Sequence, residues 1–266
     1  MERYCYTLPG GARLTGYLRD ATDPMPAYNV RPAVLVIPGG GYEYCSARES
    51  DPVAVQFLQA GYQAFVLEYT VSPTPLRWQP LLDAARAILH MRRNAEALRL
   101  DPNRIAVCGF SAGGHLAGCT AMLCDAEPVR TALGITGREA QPNAVILAYP
   151  VITSGPLGHQ GSFDQLAGED DALRAVLSLE HQVRDDLPPF FVWHTGEDTT
   201  VPVQNSLMLV TALAEHHVPC EFHLFPHGVH GSSTCTQEVG TPYPHNAVWV
   251  RLCTEWLADV FDFSLR

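Results

Sequence analysis

The sequence predicts an α/β protein with a mostly parallel central sheet, and three observations carry that expectation. Six short apolar runs recur along the 266 residues. Segments with helical spacing separate them. One glycine-flanked serine, in GFSAGGHLA, sits where a buried run gives way to a helix. Strands alternating with helices of this length build βαβ units, and a parallel sheet follows from those.

Residues 1–30 come first, and the turn-forming YTLPGG and TDPMPA suit an antiparallel hairpin ahead of the core. The apolar runs are AVLVI (33–37), AFVLEY (64–69), RIAVCG (104–109), AVILAYP (144–150), FFVWH (190–194) and EFHLF (221–225). Most lack polar alternation, as strands covered on both faces do. Helical spacing is found over 51–60, 81–98 and 203–217, and over 246–261, where Val248, Leu252, Trp256 and Val260 share a face. Right-handed crossovers place the C-terminal ends of the strands on one edge, where sites in such sheets form. Residues 150–189 depart from the pattern, with Gly155, Pro156, Gly158, Gly161 and Gly168, the helix candidate EDDALRAVLSLEHQV and the stop Pro188-Pro189. That stretch is expected to be a small lid inserted above the sheet edge of a single domain over 1–266.

Composition narrows the function classes. Hydrophobic residues make up 47% and charged residues 17%, an ordinary globular balance. A formal net charge of -11 argues against nucleic acid or an anionic membrane as partner, since both need a basic surface. No apolar run is long enough to cross a bilayer, and MERYCYTLPGG has no signal-like apolar segment, so the expected location is cytoplasmic. The 8 cysteines form no C-x-x-C pair and several lie in apolar runs, which reads as buried free thiols. A homo-oligomer is compatible with this composition. No H-E-x-x-H and no Cys/His ligand spacing is present, so neither a metal nor a cofactor is expected.

Gly109-Phe110-Ser111-Ala112-Gly113 matches G-x-S-x-G, a pattern that is weak alone and specific in its place between strand and helix. The bland alternative is a βα turn with a serine cap. As a nucleophile Ser111 needs a base, and the base needs an orienting acid, in the chain order Ser, Asp or Glu, His. FFVWH leads into TGEDTTVP, which puts Asp198 on the loop after a strand; EFHLF leads into PHGVHG, which puts His230 on the next such loop. Glu197 competes for the acid. Asp170, Asp171, Asp185 and Asp186 read as solvated charges near the lid. His227 and His245 compete for the base, and Gly231 after His230 favours His230. His115, just inside the serine helix, reads as a packing residue. The glycines of Pro38-Gly39-Gly40-Gly41-Tyr42, after the first core strand, let amides approach an oxyanion closely.

These residues resemble the α/β-hydrolase superfamily, and within it the hormone-sensitive-lipase-like and acetyl-xylan-esterase-like serine esterases. P-G-G-G-Y stands where many members carry H-G-G-G, GFSAGGHLA is similar to their G-x-S-A-G-G-x-L-A elbow, and LPPFFVWHTGEDTTVPVQNSL and FPHGVHG look like their acid- and base-bearing segments. The resemblance, from about residue 30 onward, implies Ser111, Asp198 and His230 as the triad and the amides of Gly40, Gly41 and Ala112 as oxyanion donors. SARESDPVAVQFLQAGYQAFVLEY is similar in particular to bacterial xylanase-related esterases. Pro38 in place of histidine removes one side-chain hydrogen bond and leaves the amides. The implied activity is cofactor-free hydrolysis of a short-acyl ester, an acetylated sugar or xylo-oligosaccharide, with Tyr42, Tyr44, Tyr69, Trp78 and Trp193 as candidates to line the pocket. An arylformamidase-type amidase would use the same machinery. A silent ligand-binding homologue would be expected to have lost a triad member.

Overall fold

The computed structural model describes residues 1–21 and 25–265, so Thr22, Asp23 and Pro24 of the second expected turn lie outside the described residues. Eight strands form one sheet in the order β1-β2-β4-β3-β5-β6-β7-β8. The hairpin is β1 (Glu2–Thr7) and β2 (Arg13–Leu18), which pair antiparallel and dock on the core through an antiparallel edge to β4 (Gln63–Glu68). The remaining strands are β3 (Arg31–Ile37), β5 (Leu100–Phe110), β6 (Ala144–Ala148), β7 (Phe190–Thr195) and β8 (Cys220–Phe225), and all their pairings are parallel. All six expected core strands are therefore present.

β3 is the hinge of this topology. The chain leaves it for β4 on one side and returns as β5 on the other, so the loops after β3 and β5 diverge and open a crevice at their carboxyl ends. β3 is buried along its whole length. Its alternate residues Ala33, Leu35 and Ile37 enter one core, Val34 and Val36 the other.

The helices are α1 (Asp51–Gln59), α2 (Gln79–Arg93), α3 (Ala112–Met122), α4 (Glu127–Leu133), α5 (Gln160–Ala167), α6 (Asp171–Val176), α7 (Gln204–Glu215) and α8 (Val248–Phe261). α1 and α8 bury Phe57 and Trp249 against one face of the sheet; α2, α3 and α7 bury Ile88, Leu116 and Leu209 against the other. Every residue of α3 is buried, which explains its run of small and apolar residues without a polar face.

Two helical expectations need correction and a third is refined. The helical segment over 81–98 stops at Arg93: Asn94 leaves helical geometry at φ -112 and ψ 21, and basic residues close the last turn. In α8 the fully buried stripe is Trp249, Cys253 and Leu257 with Phe261, one position on from Val248, Leu252, Trp256 and Val260, which are half-buried at its flank. Two apolar stripes run side by side there, and period alone does not choose between them. The helix expected over 169–183 breaks into α6 and a 3-10 turn at Leu179–His181. The break falls where the Leu177 carbonyl accepts from His115 Nε2 and the Ser178 hydroxyl accepts from the Ser154 amide. Tertiary hydrogen bonds there replace the helical ones.

Candidate active site

The turn after β5 holds Ser111 at φ 54 and ψ -121, a region costly for any residue with a side chain. Neighbouring bonds enforce it. The Ser111 amide donates to the Ala148 carbonyl at 3.0 Å, and its own carbonyl accepts from the amides of Val151 and His115, both at 3.1 Å. The helix start is pressed against the end of β3: a Cβ at Gly113 would lie 2.2 Å from the Ile37 carbonyl oxygen and 2.3 Å from that of Pro38. Only glycine allows that approach. The Ser111 hydroxyl stands at the crevice and lies 2.8 Å from His230 Nε2.

His230 Nδ1 lies 2.6 Å from Asp198 Oδ2. The two contacts fix the tautomer: Nδ1–H donates to the carboxylate, and Nε2 accepts from the serine O–H. The other Asp198 oxygen accepts from the amides of Thr200 at 3.0 Å and Val201 at 2.9 Å. Burial alone pushes the Asp198 carboxyl up. Hydrogen bonding from His194 and His230, together with the Val201 amide, outweighs burial and holds the group well below the usual carboxylate range.

The competing residues lie elsewhere. Glu197 takes His227 Nδ1 at 2.8 Å and the Gly228 amide at 3.2 Å, on the exposed side of the same turn. His245 is exposed against the Phe225 ring. Asp170 caps α6 and meets Arg77, Asp185 meets His216, Asp186 meets Arg184, and Asp171 is exposed.

Beyond β3 the chain turns through Gly40 at φ 125, Gly41 at φ 65 and Tyr42 at φ 66. A side chain at Gly40 would run into the Tyr44 carbonyl, 2.1 Å from an added Cβ. Among the described residues the amides of Gly40 and Gly41 meet no acceptor. The Ala112 amide opens α3 and has no acceptor within the helix. A pocket of about 260 Å³ gathers Gly40, Gly41, Ser111 and His230 with Tyr44, Arg48, His159 and Thr200 on its walls. Of the five aromatic candidates only Tyr44 lines it. Tyr42, Tyr69 and Trp193 are buried in the core, and Trp78 packs against it.

Sequence reasoning missed four residues here. His194, fully buried, hydrogen-bonds Ser206 Oγ and the Val201 carbonyl and sits 3.4 Å from Asp198 Oδ2. Arg48 and His159 reach the pocket from the 3-10 turn at Ala47–Glu49 and from the cap of α5. His159 Nδ1 accepts from the Ser162 amide, so its ring proton belongs on Nε2. Burial, followed by the nearby charge of His230, pushes its pKa down. Glu49 is buried beside Ser111 with only 3% of its surface exposed. Only the HTGED strand end carried a signal for His194; the other three come from segments without a periodic pattern.

His115 is buried as expected. Its Nε2–H donates to the Leu177 carbonyl and its Nδ1 accepts from the Tyr42 hydroxyl, both at 2.8 Å. Burial pushes it down to about 4, which the Leu177 carbonyl opposes only in part. The unfolded chain therefore takes up a proton below pH ~6.5 that the folded chain refuses, so stability drops as pH falls, by roughly 3 kcal/mol near pH 4. His115→Gln is expected to flatten that slope in urea unfolding between about pH 6.5 and 4.5. An unchanged slope would assign the proton uptake elsewhere. Five cysteines, Cys108, Cys119, Cys124, Cys235 and Cys253, are buried free thiols; Cys45 and Cys220 are half-buried, and Cys5 departs from expectation by being exposed.

The BD-FAE family model matches residues 20–213. Among curated proteins the chain is 41% identical to endo-1,4-beta-xylanase B of Butyrivibrio fibrisolvens, over 78% of the chain and 33% of that protein. It is 30% identical to the acetylxylan esterase of Xylanibacter ruminicola, over 75% of the chain and 40% of that protein. The chain thus spans well under half the length of these two relatives. Among solved structures, the acetyl ester-xyloside bifunctional hydrolase of Caldicellulosiruptor lactoaceticus is 37% identical, covering 94% of this chain and 89% of that one, with a TM-score of 0.81. The carboxylesterase Cest-2923 of Lactobacillus plantarum is 28% identical, covering 100% and 99%, with a TM-score of 0.87. With its sheet order, its strained serine turn and these likenesses together, the chain belongs to the BD-FAE family and has the α/β-hydrolase fold.

Proposed function

We propose that the protein is a serine esterase that hydrolyses short-acyl esters, with acetylated sugars or xylo-oligosaccharides as the substrate class. The observation that carries the reading is the contact chain from Ser111 through His230 to Asp198, beside amides of Gly40 and Gly41 that meet no acceptor among the described residues. Ser111 Oγ attacks the ester carbonyl carbon while His230 Nε2 takes its proton. The carbonyl oxygen becomes an oxyanion and accepts from the amides of Gly40, Gly41 and Ala112. Collapse breaks the carbon–alkoxy bond, and the departing alcohol leaves with the proton from His230. Water then gives a proton to His230 and attacks the acyl-serine, releasing the acid and restoring the Ser111 hydroxyl. Asp198 holds the imidazole in the tautomer this requires and balances its positive charge.

The pocket supports a small acyl group. About 260 Å³, walled by Tyr44, Arg48, His159 and Thr200, suits a small acyl group and a hydroxyl-rich alcohol better than a long chain. Similarity to an acetylxylan esterase and to an acetyl ester-xyloside hydrolase supports the same alcohol. On 4-nitrophenyl esters, kcat/KM is expected to be highest for acetate and about tenfold or more lower for octanoate. Acetylated xylobiose should release acetate. An optimum at octanoate, or no acetate release, would contradict the substrate class.

A further inference from the structure

Glu49 is a buried acid with no role in the chemistry described above. Both of its oxygens are engaged, and both partners belong to loops of the catalytic crevice. Oε2 accepts from the Gly39 amide at 2.9 Å, one residue before the oxyanion glycines. Oε1 accepts from the Tyr149 hydroxyl at 2.7 Å. That hydroxyl in turn accepts from the Ser233 amide at 2.9 Å, three residues after His230. The space leaves no freedom: a Cβ on Gly39 would sit 2.7 Å from Glu49 Oε2 and 2.9 Å from Ser111 Cβ. Tyr149 is held at φ 37 where β6 ends, and its ring meets the His230 ring edge-on at 5.0 Å between centroids. A single side chain therefore joins the oxyanion turn after β3, the turn after β6 and the loop that carries the base.

We infer that Glu49 is a positioning residue for the esterase reaction, setting the oxyanion glycines and the His230 loop against Ser111 through the Gly39 amide and the Tyr149 hydroxyl. The inference rests on the esterase reading above. Without an acceptor, the buried Gly39 N–H has reason to rotate, and the amides of Gly40 and Gly41 rotate with it. Those amides act on the oxyanion of the transition state, not on the neutral ester. Their displacement therefore lowers kcat more than it raises KM.

The test compares Glu49→Met, Glu49→Gln and Tyr149→Phe on 4-nitrophenyl acetate, with inhibition by an aryl trifluoromethyl ketone, whose adduct with Ser111 carries an oxyanion. Glu49→Met keeps the length and removes both acceptors. It is expected to lower kcat by about 10²-fold, with KM within about threefold, and to weaken the ketone by a factor that follows kcat/KM. Glu49→Gln still offers one oxygen to the Gly39 amide and should recover most of the loss. Tyr149→Phe, which leaves Ser233 without its acceptor, should lose about tenfold. A folded Glu49→Met variant with unchanged kcat and ketone affinity would reduce Glu49 to a stability role and overturn the inference. Should that variant not fold, Tyr149→Phe decides: a joint fall in kcat and ketone affinity supports the inference, and no change overturns it. Wild-type protein that neither hydrolyses the ester nor binds the ketone overturns the esterase reading, a result distinct from wild-type activity that ignores Glu49.

Discussion

Ser111→Ala is expected to lower kcat/KM for 4-nitrophenyl acetate by about 10⁴- to 10⁶-fold while the protein stays folded. The hydrogen-bond partner of the Ser111 hydroxyl is His230 Nε2, so its removal leaves no buried backbone group unsatisfied. The bonds that hold the turn run through the backbone of residue 111, to Ala148, Val151 and His115, and alanine keeps them. The backbone strain at φ 54 is common to serine and alanine, so the unfolding free energy should change by less than about 1 kcal/mol. What vanishes is the atom that, on the proposed mechanism, forms the acyl intermediate. Steady-state kinetics together with a thermal melt check both halves. Activity within about tenfold of wild type would show that another group attacks the ester.

Asp198→Asn is expected to lower kcat by about 10⁴-fold. The amides of Thr200 and Val201 both donate to one Asp198 oxygen, so an asparagine there keeps its carbonyl oxygen in place and turns its NH₂ toward His230. His230 Nδ1 must then accept, the ring proton moves to Nε2, and Nε2 can no longer take the serine proton. The substitution is nearly isosteric, so near-UV circular dichroism should be unchanged. Glu197→Gln is the control: Glu197 faces His227 on the exposed side of the turn, and its variant should stay within about twofold of wild type. A loss under tenfold in Asp198→Asn, or a large loss in Glu197→Gln, would move the acid to the neighbouring residue.

Much of the site was legible because its parts sit where strands end. Ser111, Asp198 and His230 follow β5, β7 and β8, and a parallel sheet brings such positions to one edge whatever lies between them. Residues set by tertiary contact were not legible. Glu49 sits on a 3-10 turn in a stretch with no hydrophobic period, and its burial depends on Tyr149, 100 positions away. His159 reaches the pocket from residues 150–189, where α5 and α6 are too short to print a clear pattern. α8 shows the limit from the other side. Its period was plain, yet Trp249, Cys253 and Leu257 fill the core while the adjacent stripe of similar residues flanks it, a choice made by the shape of the sheet face. Four of the five aromatic candidates pack inward for the same reason and Tyr44 alone of them lines the pocket, since a tyrosine near a loop packs inward as readily as it faces a ligand.

Covalent labelling measures whether the Ser111 hydroxyl is an activated nucleophile, without reference to any substrate. Protein treated with a fluorophosphonate and mapped by peptide mass spectrometry should carry one adduct, on the peptide containing Ser111, and none in Ser111→Ala. Wild-type protein that stays unlabelled, or that carries the adduct on a different residue, would show that Ser111 is not the nucleophile.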